Sequence, residues 1–501
     1  MRGFSTLEIL IAMAIMVSTL SAVVLVSFGN QSLLAATRAN SGALADAQAL
    51  LETEAGNARQ DFRLVTTVAT SSDGGYQASL SVDDLPADPY TTKRLTAIVS
   101  WRDERHATRS ISLTSLVTDF QDPSTLDTCD SSLAGDWSHP AISNLALSPG
   151  SLLPSDAKIA AANTIGAIDA YRDKLYVADA SRSAKADDSL FIFDISNPIA
   201  PRYLGSTNNA TTSADGMNAI VAAGDYLYAA SNHGTTFKTC KPGGNCSQLQ
   251  IFNVSNPAAI SLVSDFLLPT SSAPFVLGSG GQAVGNALYY KNGYLYLGLV
   301  KTQSGPEFDV IDVHDPTRPA WIGGLAIGAT VNQIYVRNGY AYLATDDQSR
   351  KFLTIDVHDP KNPSLVTSLD PKGTSNQEYG YSLYVVGDEL FAGMSSTSIS
   401  GSPELYEFNN AHPSAPAAFA SEEVGASTLG IFARDAKLFL LTSTIGLKGQ
   451  VQILDDDLAG NNSVSVALPG TGVSMDCQGN YFYVASNSGS QGALSIIGPS
   501  L

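Results

Sequence analysis

The chain has 501 residues, 47 acidic against 28 basic, and a formal net charge of −19. That length implies two or more domains. The acidic balance excludes a nucleic-acid partner, because the one basic stretch, Lys93 to Arg109, also carries Asp103 and Glu104 and reads as a solvated strand face.

From Phe4 to Phe28 the sequence is apolar with a single charge, Glu8. Leu33, Leu34, Leu44, Ala47, Leu50 and Leu51 continue a helical pattern with acids and amides on the other face. A helix from Phe4 to about Gln60 is predicted, on the order of 85 Å long at 1.5 Å per residue. A carboxylate in a bilayer core costs about 2.5–3.5 kcal/mol on insertion scales, so Glu8 needs a partner. Cleavage after Gly3 would create an amine on Phe4, and the acid and amine of neighbouring subunits would neutralise each other. An ordinary secretory signal is cut at small residues after its apolar run, whereas Ala12-Met13-Ala14 lies too early in this one.

Gly3, Phe4, Thr6, Leu7 and Glu8, followed by the unbroken apolar run, resemble the class III signal of type IV pilins and type II secretion pseudopilins. The resemblance implies that residues 1–3 are a leader removed by a prepilin peptidase and that the new terminal Phe4 is methylated. It implies that Glu8 serves assembly with other pilin subunits through a helix over 4–61. Residues 4–28 of that helix would lie in the inner membrane before assembly and in the filament core afterwards.

Over residues 62–120 the pattern switches to period two. Tyr76–Val82, Leu95–Trp101 and Ser110–Val117 alternate apolar and polar residues and predict three short antiparallel strands. Strands on the back of a long helix resemble the head of a minor pilin. Asp, Ser and Pro dominate residues 121–155, which read as a linker.

From about residue 165 the chain repeats itself. Each unit has a strand, a tight polar turn, and a second strand with an aromatic centre: Tyr176, Tyr228, Tyr296, Tyr342, Phe391, Phe439 and Tyr483. Their spacings are 52, 68, 46, 49, 48 and 44 residues. A third strand follows and ends in an Asp- and Pro-containing turn, as in Leu190–Pro198, Leu249–Pro257, Phe308–Pro316 and Leu353–Pro360. A further proline, at Pro201, Pro319, Pro363 and Pro416, precedes an outer strand. Four short strands per unit at this period predict a β-propeller. Seven units fit a closed ring over 140–501, and the third-strand pattern resembles the LVIVD-type repeat family. Unit seven runs out at Leu501 after its third strand, so its outer strand is predicted from residues 140–165, with Ile142–Leu147 and Lys158-Ile-Ala-Ala as candidates. Closure removes the open sheet edges. The fold class expected is therefore multidomain: a long N-terminal α-helix with a small α+β pilin-like head, then an all-β seven-bladed propeller.

Four cysteines occur. Cys240 and Cys246 bracket Lys-Pro-Gly-Gly-Asn, a loop that an oxidised pair would close in an exported chain. Cys129 and Cys477 flank the repeats, and a bridge between them would join the two ends of that region; the sequence leaves their pairing open. His314 and His358 share one repeat position, with His412 near it, and read as turn residues rather than a metal ring. Asp187-Asp188, Asp346-Asp347 and Asp455-Asp456-Asp457 lack the spacing of an EF-hand loop, so solvated loops are expected and calcium is the one cofactor they leave open. No nucleophile elbow, phosphate loop, dinucleotide fingerprint or zinc motif is present.

The expected function is structural and not enzymatic: a pilin-like subunit, minor or at the tip, displaying an extracytoplasmic propeller on a cell-surface filament for adhesion or partner binding. Two other readings stay open. One is a type II secretion minor pseudopilin with a cargo-contacting head; the other is a membrane-anchored extracytoplasmic propeller enzyme.

Overall fold

The computed structural model describes residues 13, 15–21, 37, 39–55, 67–73, 76–85, 88–102, 107–118, 133–157, 164–180, 188–208, 216–231, 247–268, 284–302, 305–371, 378–396, 402–445, 448–458, 463–489 and 491–500. They fall into two compact units, Met1–Gln121 and Asp122–Leu501.

The first unit corrects the expected single helix from Phe4 to about Gln60, and with it the expected fold class. Among the described residues the α-helical ones are 13, 15–21, 37 and 39–55, in two short stretches, and the regular structure is otherwise nearly all β. No described helix is long and apolar enough to cross a membrane. The physical reason is packing, since a helix draws most of its stability from burying an amphipathic face. Residues 39–55 bury Ala43 and Ala47, both 0 % exposed, against Leu80, Leu95, Ala97, Val99 and Val117. By contrast Met16, Val17 and Leu20 remain 63–67 % exposed.

The sheet beneath the 39–55 helix is an antiparallel meander of β1 (Val68–Asp73), β2 (Tyr76–Leu85), β3 (Asp88–Arg102) and β4 (Thr108–Thr118). The three expected strands are β2 to β4. The edge strand β1 adds a fourth, and its Ala-Thr-Ser-Ser sequence has no apolar alternation to announce it. Small side chains at positions 43 and 47, one helical turn apart, let the helix lie close on the sheet. Tyr76 Oη ties the two layers by donating to Ala39 O at 3.1 Å.

The second unit holds seven described four-stranded antiparallel sheets. The inner strands of blades I to VII are Ile165–Tyr171, Met217–Ala223, Gly285–Lys291, Val331–Arg337, Gly380–Val386, Thr428–Arg434 and Thr471–Gln478. Neighbouring inner strands touch all the way round, blade VII against blade I included, so the ring is closed. Six blades take their four strands in sequence order. In blade VII the outer strand is β5 (Asp136–Ala146), pairing antiparallel with Gln491–Ser500 in the register Leu494↔Leu145 and Ile497↔Ile142. Ile142–Leu145 thus lies in the closing strand, while Lys158-Ile-Ala-Ala is outside the described residues. Trp137, Leu147, Leu152 and Leu153 are buried, so this part of the stretch read as a linker belongs to the second unit.

Local chemistry explains the regularity. The inner hairpin turns need left-handed backbone: Arg172-Asp173, Asn292-Gly293, Asn338-Gly339 and Asp435-Ala436 have positive φ at both positions, and Gly224, Gly387 and Gly479 at the first. These are the mirror-image turns whose twist matches the strands. At the other end, Asp194, Asn253, Asp312 and Asp356 each accept the backbone N–H two residues on, at 2.9–3.1 Å, which ends the third strand in an Asx turn. The outer strands start directly after Pro201, Pro319, Pro363 and Pro416, where the missing N–H costs an edge strand nothing.

Two outcomes are expected. A fragment of residues 131–501 should be soluble and β-rich, whereas residues 165–501 should aggregate on gel filtration because blade VII loses β5. Trp137 packs edge-on against Phe439 and Phe482 at 5.0 and 6.0 Å, and its Nε1 has no hydrogen-bond partner. Trp137→Ala should therefore cost about 3–5 kcal/mol in denaturant unfolding, and Trp137→Phe less than about 1.5 kcal/mol.

Candidate functional site

The residue of each inner strand registered opposite the repeated aromatic forms a ring around the axis: Asp169, Val221, Tyr289, Tyr335, Tyr384, Phe432 and Asp476. All seven line one cavity of about 250 Å³, with Ile168, Ile220, Leu288, Ile334, Ile431 and Met475 among its other walls. The ring is not uniform. Blades III to VI supply an unbroken aromatic arc, with centroids 5.2 Å apart for Tyr289–Tyr335 and for Tyr335–Tyr384, and 5.6 Å for Tyr384–Phe432. Blades VII and I, neighbours in the closed ring, supply the two carboxylates.

Backbone groups hold those carboxylates. Asp169 Oδ2 accepts Ala222 N–H at 2.9 Å, and Asp476 Oδ2 accepts Ala170 N–H at 2.5 Å, each reaching into the next blade. Asp476 Oδ1 also accepts Cys477 N–H at 2.8 Å. Gln333 does the same work with a neutral group, its Oε1 accepting Leu383 N–H at 2.7 Å. A second belt joins the inner strands one step earlier: Asn218, Asn286 and Asn332 donate to Gly285 O, Val331 O and Gly380 O at 2.7–2.9 Å. Among the described residues that line the cavity none is Lys, Arg or His, and Asp169 and Asp476 are its two carboxylates.

Gly3, Phe4, Glu8, Cys129, Cys240 and Cys246 lie outside the described residues. Cys477 is fully buried between blades VI and VII and is disulfide-bonded. His314 and His358 sit in the third-strand turns, their Nδ1 atoms 2.7 and 2.8 Å from Asp312 and Asp356 and their rings edge-on to Tyr294 and Tyr340. Asp188 accepts Ser206 Oγ, Asp346 accepts Thr330 N–H, and Asp347 accepts Ser349 and Arg350. Among the described residues, no group of three or more His, Cys, Asp or Glu is placed to hold a metal.

Sequence reasoning missed the axial ring. The signal was present: each member stands seven residues before the repeated aromatic of its unit. It also missed Glu407, which feels the charges of Asp456 and Asp457 from the Asp455-Asp456-Asp457 run. Glu407 is 5 % exposed, and its Oε2 has no hydrogen-bond partner. Burial, then the charges of Glu389, Asp456 and Asp457, push its carboxyl up to about 7.

The fold and its repeats define the class. Residues 170–209 and 328–370 match the LVIVD repeat model. No curated protein matches the chain. Among solved structures, a chain of the crystal structure of the mitotic checkpoint complex is similar at 11 % identity and a TM-score of 0.45, covering 70 % of this chain and 93 % of that one. The WD40 β-propeller domain of Doa1 is similar at 10 % identity and a TM-score of 0.44, covering 69 % and 96 %. The chain carries LVIVD repeats in a β-propeller.

The Glu407 geometry sets a pH dependence. Folded protein holds its proton up to about pH 7, and unfolded chain releases it near the ordinary glutamate value of about 4.3. Folded protein thus binds more protons between those values, and this group's contribution to stability falls as pH rises through that window. Glu407→Gln should stabilise the chain at pH 8 by on the order of 1–3 kcal/mol and change little at pH 4.5, as read by paired denaturant titrations.

Proposed function

We propose that this chain is an exported, pilin-like subunit that displays its propeller as a recognition head on a cell-surface filament, at a minor or tip position. The observation that carries the proposal is the run Gly3-Phe4-Ser5-Thr6-Leu7-Glu8, in which one charge opens an otherwise apolar stretch to Phe28. Such a carboxylate is costly without a partner, and the amine freed on Phe4 of a neighbouring subunit supplies one. The first unit supports the reading, since a helix packed on a four-stranded antiparallel sheet matches the small head expected after an assembly segment. The closed ring supports it too: a propeller without free edges can be displayed outside the cell without edge-to-edge aggregation.

In this reading a prepilin peptidase and other pilin subunits are the partners. The inner membrane holds the precursor, and the propeller faces outward. The bulk of the second unit favours sparse placement over dense packing along a filament.

Gly3→Ala should block processing, leaving the precursor mass unchanged by intact-protein mass spectrometry, because the scissile bond must fit around a residue without a side chain. Glu8→Ala should leave the mature mass normal but reduce the sheared filament fraction at least tenfold. Normal maturation and assembly of both variants would refute the filament reading.

A further inference from the structure

A second cavity, sharing no lining residue with the axial one, opens where the inner strands of blades IV and V begin. Its volume is about 840 Å³, within the 300–1,000 Å³ or so of ligand sites. Three blades build it. Lys301 follows the second strand of blade III, and Asp346, Asp347 and Gln348 follow the second strand of blade IV. Asn332 lies on the inner strand of blade IV, with Tyr379 and Tyr381 at the start of the inner strand of blade V. Bonds between the loops hold these groups in place. Asp346 Oδ1 accepts Thr330 N–H at 2.7 Å, Thr330 Oγ1 accepts Lys301 N–H at 3.2 Å, and Asn332 Nδ2 donates to Gly380 O at 2.7 Å. They occupy one oxygen of Asp346 and the amide nitrogen of Asn332, and each side chain keeps a further acceptor oxygen. Lys301 Nζ adds a donor, while the Gln348 amide and the two tyrosine hydroxyls both donate and accept. The charges balance: Lys301 counters Asp346 in the lining, and Arg350 holds Asp347 at 2.8 Å.

We propose that this cleft binds a neutral saccharide, its hydroxyls on Asp346, Asn332 and Gln348 and a sugar-ring face against the half-buried Tyr379 and Tyr381. A sugar hydroxyl donates and accepts at once, which suits a lining where acceptors, donors and groups of both kinds converge. The C–H face of a pyranose is apolar, and a tyrosine offers an apolar ring face with a polar tip beside it. An anion would meet Asp346 and Asp347, and a cation would meet Lys301 and Arg350. A purely apolar ligand would desolvate the polar lining without replacing its hydrogen bonds. The proposal deepens the reading of the propeller as a recognition head and does not depend on filament assembly.

The test is binding of the full chain to an array of immobilised glycans, neutral ones beside sialylated and sulfated ones. Isothermal titration then follows with the free form of the most strongly bound neutral glycan, at concentrations on the order of 10 mM. Neutral glycans should bind, with an affinity that salt changes little, because no net charge is exchanged. Asp346→Asn should weaken binding about tenfold by turning an acceptor into a donor. Asparagine keeps an oxygen for the Thr330 N–H, so the melting temperature should hold. Tyr379→Leu combined with Tyr381→Leu removes both ring faces and should weaken binding about tenfold or more. The matching pair of phenylalanine substitutions keeps the ring faces and should lose less. If the leucine pair fails to fold, Asp346→Asn carries the test. Absence of glycan binding, binding confined to sialylated or sulfated glycans, or unchanged affinity in the folded variants would overturn the assignment. Each of these readouts is independent of the processing and assembly of Gly3 and Glu8 variants.

Discussion

Everything in the second unit depends on burying one aromatic ring at each blade interface. Tyr176, Tyr228, Tyr296, Tyr342, Phe391, Phe439 and Tyr483 are each 4 % exposed or less, and each enters a different core cluster. A single four-stranded sheet has two apolar faces and cannot bury both alone. Stacked around an axis, each face finds the next blade. Removing such a ring costs about 3–5 kcal/mol, a large fraction of the net stability of a domain.

That arrangement works only if the last interface forms, and the chain achieves it by joining distant parts. The cluster between blades VII and I combines Leu494 and Ile496 with Phe191 and Phe193, and adds Leu147, Leu152 and Leu153 from beyond β5. Trp137, on β5, packs into the cluster between blades VI and VII. Because β5 precedes blade I in sequence and completes blade VII in space, unfolding either end exposes the same two interfaces. Closure also fixes the axis, and it sets the inner strands at a separation where one blade's carboxylate reaches the next blade's N–H.

The regular ring and the irregular site come from the same positions. Repeats enforce one backbone geometry seven times, and the residue opposite each buried aromatic is then free to differ. Four aromatics, one valine and two aspartates fill those places, so a symmetric scaffold carries an axial cavity with an acidic side and an aromatic side.

Much of this architecture is legible in the sequence because it is local and periodic. The tight turns, the Asx turns and the prolines before outer strands are written in residues adjacent along the chain, and their recurrence points to blades before any contact is known. The closing strand was legible too, in the alternation of Ile142–Leu147, and β5 takes that place in blade VII. The helix pattern from Phe4 to about Gln60 was also local, yet local periodicity does not say what a helix will pack against. Among the described residues of that stretch, 39–55 packs on the sheet through Ala43 and Ala47. Strand β1 escaped because an edge strand of small polar residues is defined by its neighbour's hydrogen bonds. The axial ring and the acidic group around Glu407 escaped for a related reason. Asp169 and Asp476 are 307 residues apart in sequence, and ring closure alone makes them one site. Composition and periodicity determined that blades exist; the tertiary structure decided which side chains meet at their centre, because only closure of the ring converts equivalent positions into neighbouring ones.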